Sequence, residues 1–166
     1  MKQLFAGRKE PTREKLRLIK NQTGFCKPGD GGLWTSTLVR GNSSSWVEWC
    51  INEEFSNPRR GWILTPCENA RVYTINSLPD LEHLHNHFPL VNDYASKYGI
   101  KYLDFELIAT TLDAIHLTEE GQVETRLSHP LSLYGWDCES TLWFRWVFEE
   151  VKGPIRIGEE ANACTS

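Results

Sequence analysis

Two acidic residues two positions apart, Asp137 and Glu139, stand just ahead of an aromatic run in Leu133-Tyr134-Gly135-Trp136-Asp137-Cys138-Glu139-Ser140-Thr141-Leu142-Trp143-Phe144. Residues two apart on a strand project from the same face, so this spacing predicts two carboxylates pointing together beside tryptophan rings. Holding them there is costly unless something neutralises the charge. A substrate hydroxyl or a cationic transition state would do so, and the solvated start of a strand is the alternative. A second segment, Gly31-Gly32-Leu33-Trp34-Thr35-Ser36-Thr37, combines glycine backbone, an aromatic plate and three consecutive hydroxyls. Glycine lets a ligand approach the main chain, tryptophan stacks on a planar ring, and hydroxyls can bond a ribose or orient a carboxylate. The same residues would also suit a glycine turn leading into a half-buried strand.

Other chemical patterns are weaker. His83, His85 and His87 suggest a metal, but on a helix only His83 and His87 share a face, and no third ligand follows at a recognised spacing, so no metal site is expected. There is no G-x-S-x-G elbow, P-loop or dinucleotide fingerprint. Cys138 lies between two acids that disfavour its thiolate, which makes it a poor nucleophile. The five cysteines are scattered without a C-x-x-C pair and read as reduced thiols.

The elements that must position these residues follow from pattern and punctuation. A short helix in the stretch from Pro11 is expected to run into a strand over Leu16–Asn21, ahead of the glycine loop. A strand over Leu33–Leu38 precedes a polar loop and a short helix carrying Trp46, Val47, Trp49, Cys50 and Ile51, ending near Glu54. Gly61–Thr65 and Arg71–Ile75 read as strands forming a hairpin. Ser77 opens a helix that Pro89 breaks, and a second helical piece ends at Gly99. A short helix after Asp104 precedes a strand over Asp113–Leu117, closed by a turn at Glu119–Gln122. The last strand is expected over Thr141–Phe148, with Leu142, Phe144, Trp146 and Phe148 on one face and Trp143, Arg145 and Val147 on the other. A frayed tail is expected over about 154–166. This order predicts one α+β domain, with mixed, mainly antiparallel sheets flanked by short helices.

At 166 residues, 40% hydrophobic, the chain can bury one ordinary core. A net charge of -4 argues against a broad nucleic-acid-binding surface while leaving room for a local basic cleft. No apolar run approaches the roughly 18 residues of a membrane span, and no signal-like segment opens the chain, so a cytoplasmic protein without membrane contact is expected. Seven tryptophans are a large number for this length; core packing is their ordinary use and a stacking wall the rarer one.

The order of these motifs, Gly-Gly-Leu-Trp-Thr-Ser-Thr, then Ser45-Trp46, then Asp137-x-Glu139 entering a late strand, resembles the ADP-ribosyltransferase superfamily. In that family an early strand carries an Arg or His, a middle strand an S-T-S or aromatic motif, and a late strand the catalytic Glu. The resemblance spans most of the chain and implies an ADP-ribosyltransferase-like fold with NAD as co-substrate. It implies that Glu139 stabilises the oxocarbenium-like ribose as nicotinamide leaves, and that Asp137 helps position the acceptor. Trp34, Thr35, Ser36 and Thr37 match the middle motif, with Gly32 beside them. Arg17 stands for the first motif, with Arg13 and Lys20 as alternatives. Asp137 departs from the family's usual Glu or Gln, which leaves the acceptor open among protein, nucleic acid and small molecule. The resemblance points to a bacterial or phage setting in toxin or defence. Two further readings stand beside it. One is a non-catalytic binding or inhibitory module of phage or bacterial-conflict type that uses its tryptophans as a partner surface. The other is a hydrolase using Asp137 and Glu139 as an acid and base pair, for which adjacent same-strand carboxylates sit close.

Overall fold

Each of the five α-helices among the described residues begins where a short polar side chain caps the first turn. The computed structural model describes residues 1–158. Its α-helices are α1 Ser45–Asn52, α2 Leu78–His87, α3 Asp93–Tyr98, α4 Phe105–Thr111 and α5 Glu119–Thr125. Ser44, Ser77, Asn92, Asp104 and Thr118 accept from backbone N–H groups that the first turn leaves unpaired. The Thr118 cap explains why Glu119–Gln122, expected as a turn, is instead the start of α5. Gly121 lets that helix close on the sheet, because a Cβ there would run into the Ile75 carbonyl.

Seven strands, β1 Gln3–Ala6, β2 Leu33–Thr37, β3 Arg60–Pro66, β4 Val72–Ile75, β5 Ala114–Leu117, β6 Ser140–Trp143 and β7 Phe148–Arg156, form one sheet in the spatial order β4-β5-β6-β2-β1-β3-β7. Every pairing is antiparallel except β4 with β5. Parallel neighbours need a long crossover, and α2, α3 and α4 supply it. The architecture is therefore α+β and mainly antiparallel, as element order predicted, with the strands in one open sheet.

Several expectations are corrected. Gly61–Thr65 and Arg71–Ile75 are strands but not a hairpin: β3 lies between β1 and β7, while β4 pairs with β5 at the far edge. β1 was not anticipated, since four residues at the chain start carry too little pattern. No strand covers Leu16–Asn21, where a 3-10 turn at Arg13–Lys15 leads into open chain and Lys20 makes one isolated bridge to Asp30. The single strand expected over Thr141–Phe148 is two strands on separate parts of the sheet. Chain order also runs past Gly153, because β7 continues to Arg156 and Ile157 packs with Leu4 and Val47. The rest of the expected tail lies outside the described residues.

The break between β6 and β7 has a specific cause. Arg145 donates to Asp113 Oδ1 at 3.0 Å and to the carbonyls of Ala109 and Thr110 at the end of α4 at 2.8 and 2.9 Å. Asp113 also accepts from the Arg71 main chain at 2.9 Å and from its guanidinium at 3.2 and 2.9 Å. One buried carboxylate thereby ties together the entries to β4 and β5 and the exit of β6. Leu142 and Trp143 then face opposite cores as alternation predicted. The first core holds Ile75, Leu84, Ile108, Ile115 and Leu117, and the second holds Trp62, Leu64 and Phe148. Phe148, expected on the Leu142 face, instead meets Trp143 edge-on at 4.8 Å, since the break resets the alternation. No described helix is long and apolar enough to cross a membrane.

Burial by itself would raise the Asp113 pKa, but the hydrogen bonds and charges of Arg71 and Arg145 outweigh it and hold it below the ordinary carboxylate value. A depressed folded-state pKa contributes stability above the unfolded value of about 4 and loses it as pH falls through the folded one. Asp113→Asn should cost about 2 to 3 kcal/mol at neutral pH. In urea unfolding its deficit should shrink toward pH 3; a deficit independent of pH would contradict this assignment.

Candidate functional site

β1, β2 and β6 lie side by side, and Glu139 is the residue directly before β6. β2 and β6 pair with Thr35 opposite Thr141 and Trp34 opposite Leu142, so the end of β2 reaches the approach to β6. There Ser36 Oγ donates to Glu139 Oε2 at 2.6 Å. Thr37 donates its backbone N–H at 3.0 Å to the same oxygen and its hydroxyl at 2.8 Å to Oε1. The Ser36 hydroxyl also accepts from the Trp46 N–H at 3.3 Å, which couples the first turn of α1 to the clamp. Glu139 is 6% exposed, so these contacts replace the water that a buried carboxylate would otherwise lose.

On the other side of the carboxylate stands His116 of β5. Its Nδ1 lies 3.4 Å from Glu139 Oε1 and 2.8 Å from Thr141 Oγ1. Burial pushes the imidazole pKa down, and the neighbouring carboxylate offsets this only in part. Behind the clamp, Thr35 donates to Gln3 Oε1 of β1 at 2.6 Å and accepts from Trp143 Nε1 at 2.8 Å. The middle segment therefore splits: Thr35 binds toward β1 and the core, while Ser36 and Thr37 grip the acid.

A cavity of about 340 Å³ opens beside this clamp. Trp34, Trp46 and Trp136 wall it, Lys27 and Asp137 supply charge, and Cys138 and Ser140 line it on either side of Glu139 in sequence. Trp34 and Trp136 meet edge-to-face at 4.6 Å, and Trp136 is fixed by its indole N–H to the Cys26 carbonyl at 3.2 Å. Trp34, at 37% exposure, keeps part of its surface available. Burial, followed by the charges of Glu139 and Asp137, pushes the Cys138 thiol up to about 12, so it stays protonated at neutral pH.

Asp137 and Glu139 do not project together as a strand pair. Both precede β6, Asp137 in irregular chain and Glu139 in a bend, where alternation does not apply; Asp137 lines the cavity and Glu139 turns to β2. Gln122 of α5 steadies the bend by donating to the Trp136 and Asp137 carbonyls, each at 3.4 Å. Trp34 and Thr35 reach the cavity wall, and Ser36 and Thr37 reach the carboxylate. Arg17 does not join them: its guanidinium pairs with Asp30 at 2.6 Å on the surface, and its stretch is not a strand. Gly32 has a structural task. Its φ is +70°, and a Cβ there would strike Leu142, so it lets the loop settle on β6 rather than lining the cavity. The strand beside β2 is β1, which contains neither Arg nor His and turns Leu4 and Ala6 to the cavity.

Sequence reading passed over His116, Gln3 and Lys27. The available signal for the first two was a polar residue within a short apolar run, Ala-Ile-His-Leu and Gln-Leu-Phe-Ala. Lys27 carried no pattern. Of the three expected helix histidines, His83 and His87 do share a face one turn apart, with ring centroids 4.5 Å apart and planes tilted by 48°. No protein-family model matches the sequence, and neither a curated protein nor a solved structure matches it.

The histidine provides a direct check of this geometry. In an NMR titration His116 should titrate below the ordinary value of about 6.5. Because the folded pKa is depressed, stability should be full above the unfolded value and fall as pH drops through the folded one. A midpoint at or above 6.5 would contradict burial of a neutral imidazole against the carboxylate.

Proposed function

We propose that the chain transfers ADP-ribose from NAD, with the cavity holding the nicotinamide end and Glu139 as the acid beside the reacting ribose. The observation that carries this reading is the clamp itself. The reading requires an early, a middle and a late strand placed together, with a hydroxyl of the middle strand on the late glutamate. β1, β2 and β6 are consecutive in the sheet, and Ser36 bonds Glu139. In the proposed reaction the bond between the ribose anomeric carbon and the nicotinamide nitrogen breaks, and nicotinamide leaves with the electron pair. Positive charge builds on the ribose, where a carboxylate fixed in a water-poor setting stabilises it strongly. An acceptor nucleophile then forms the new bond and releases its proton. Trp34 and Trp46 offer ring faces to the departing pyridine, and Lys27 is the cation of the cavity wall available to the phosphates, a role for which Arg17 is badly placed.

One observation favours a second reading. Both Glu139 oxygens already accept short bonds, and β1 places Ala6 rather than a cation at the cavity. A binding or inhibitory module could keep the same clamp purely as a strand-to-strand tie. The two readings separate in one experiment, transfer of labelled ADP-ribose from NAD into a host lysate by the native chain and by Glu139→Gln. The transferase reading predicts label and free nicotinamide with the native chain and a loss of about two orders of magnitude or more in the variant. Absence of both products with the native, folded chain would overturn it in favour of the binding module.

A further inference from the structure

Beyond the tryptophan-walled cavity, and sharing a wall with it, runs a second groove. Ala6 and Trp46 line both. The second groove, of about 470 Å³, is otherwise bounded by Arg8, Asn57, Arg59 and Arg60 among its polar residues, and among the described residues no acidic side chain lines it. Its arginines are brought together by the sheet. Gly7 donates its N–H to the Arg60 carbonyl at 3.1 Å, which sets Arg8 at the start of β3, and Arg59 immediately precedes Arg60. Arg156 of β7 stands directly across the ladder from Arg60. In a protein of net charge -4, Arg8, Arg59 and Arg60 together make this groove a local basic cleft.

The aromatic residues at the groove's end narrow the class of anion. Trp46 stacks on Trp49 with centroids 5.2 Å apart and planes 15° apart, and Phe55, 66% exposed, closes on both at 6.0 and 5.4 Å. Glu48 lies in α1, Glu53 caps its end and Glu54 follows, and none of these three lines the groove. Guanidinium groups spaced along a groove that ends on ring faces fit a chain of alternating phosphates and planar bases. An acidic peptide would use the arginines but gain no base stacking at the aromatic end of the groove.

We infer that the groove binds single-stranded nucleic acid, with phosphates along Arg8, Arg59 and Arg60 and a base delivered past Trp46 toward the cavity. As the acceptor of the transfer proposed above, the strand's role rests on that reading; its binding does not. Double-stranded nucleic acid presents stacked bases that cannot reach the rings, so single strands are preferred.

The test measures binding without NAD, so its failure is distinct from failure of the transferase reading. Fluorescence anisotropy with a labelled mixed-sequence 12-mer should show binding at 50 mM salt. Three phosphate contacts on a single strand predict a log–log salt slope of about -2, hence roughly a 20-fold loss between 50 and 200 mM. Unlabelled single strands, DNA or RNA, should compete better than the duplex and better than polyglutamate of equal charge. The doubly reversed chain R59E/R60E should bind at least tenfold more weakly with its Tm kept, and R8E, outside any strand, serves as a second variant. No binding by the native chain, equal binding by folded reversal variants, or stronger competition by polyglutamate or by duplex would each overturn the inference.

Discussion

A carboxylate buried between two strands is the constraint around which the site is arranged. Glu139 loses nearly all contact with water, and leaving its charge unpaired would cost several kcal/mol. Two hydroxyls and one backbone N–H from successive residues of β2 meet it instead, with His116 on its far side. Those partners can converge only if β2 and β6 are adjacent and in the observed register. The same serine reaches the N-terminus of α1, so the clamp also sets where Trp46 stands against the cavity. The pairing that solves an electrostatic problem therefore also determines the shape of the cavity.

The rest of the sheet supports that placement from a distance. Asp113 gathers Arg71 and Arg145 and fixes where β4, β5 and β6 begin and end. Releasing the chain after β6 lets β7 cross to the other edge, next to β3, and this crossing brings Arg156 opposite Arg60. On the near side, Gly31 and Gly32 both take left-handed backbone and lie against Leu18, Ile19 and Leu142, which leads the loop into β2 without occupying the cavity. Polar residues that look like ligand contacts in the sequence divide into two groups: those that brace the strands and those that face the space between them.

Much of the local structure was legible because it is local. Caps at Ser44, Ser77, Asn92 and Asp104 announce helices by their own side chains, and the run from Leu33 to Thr37 reads as a strand by composition. The pairing of Ser36 with Glu139 spans 103 positions, and sequence order could suggest it only through resemblance to a family. What stayed hidden was non-local. Nothing in Gly61–Thr65 or Arg71–Ile75 says that each pairs with a distant strand rather than with its neighbour. Reading Asp137 and Glu139 as a strand pair failed for the same reason: where β6 starts depends on the clamp that draws Glu139 to β2, not on alternation. His116 was invisible as a site residue because its significance comes from the β5–β6 register, and Arg17 was misplaced because the strand beside β2 comes from the first six residues.

Saturation-transfer NMR tests, without requiring turnover, whether the cavity beside the clamp takes the nicotinamide end of NAD as proposed. With the native protein irradiated, the nicotinamide ring protons of NAD should receive the strongest saturation, and Trp34→Ala should abolish that transfer while the protein stays folded. Saturation confined to the adenine protons, or none with the native chain, would contradict the account and leave the clamp as a structural tie.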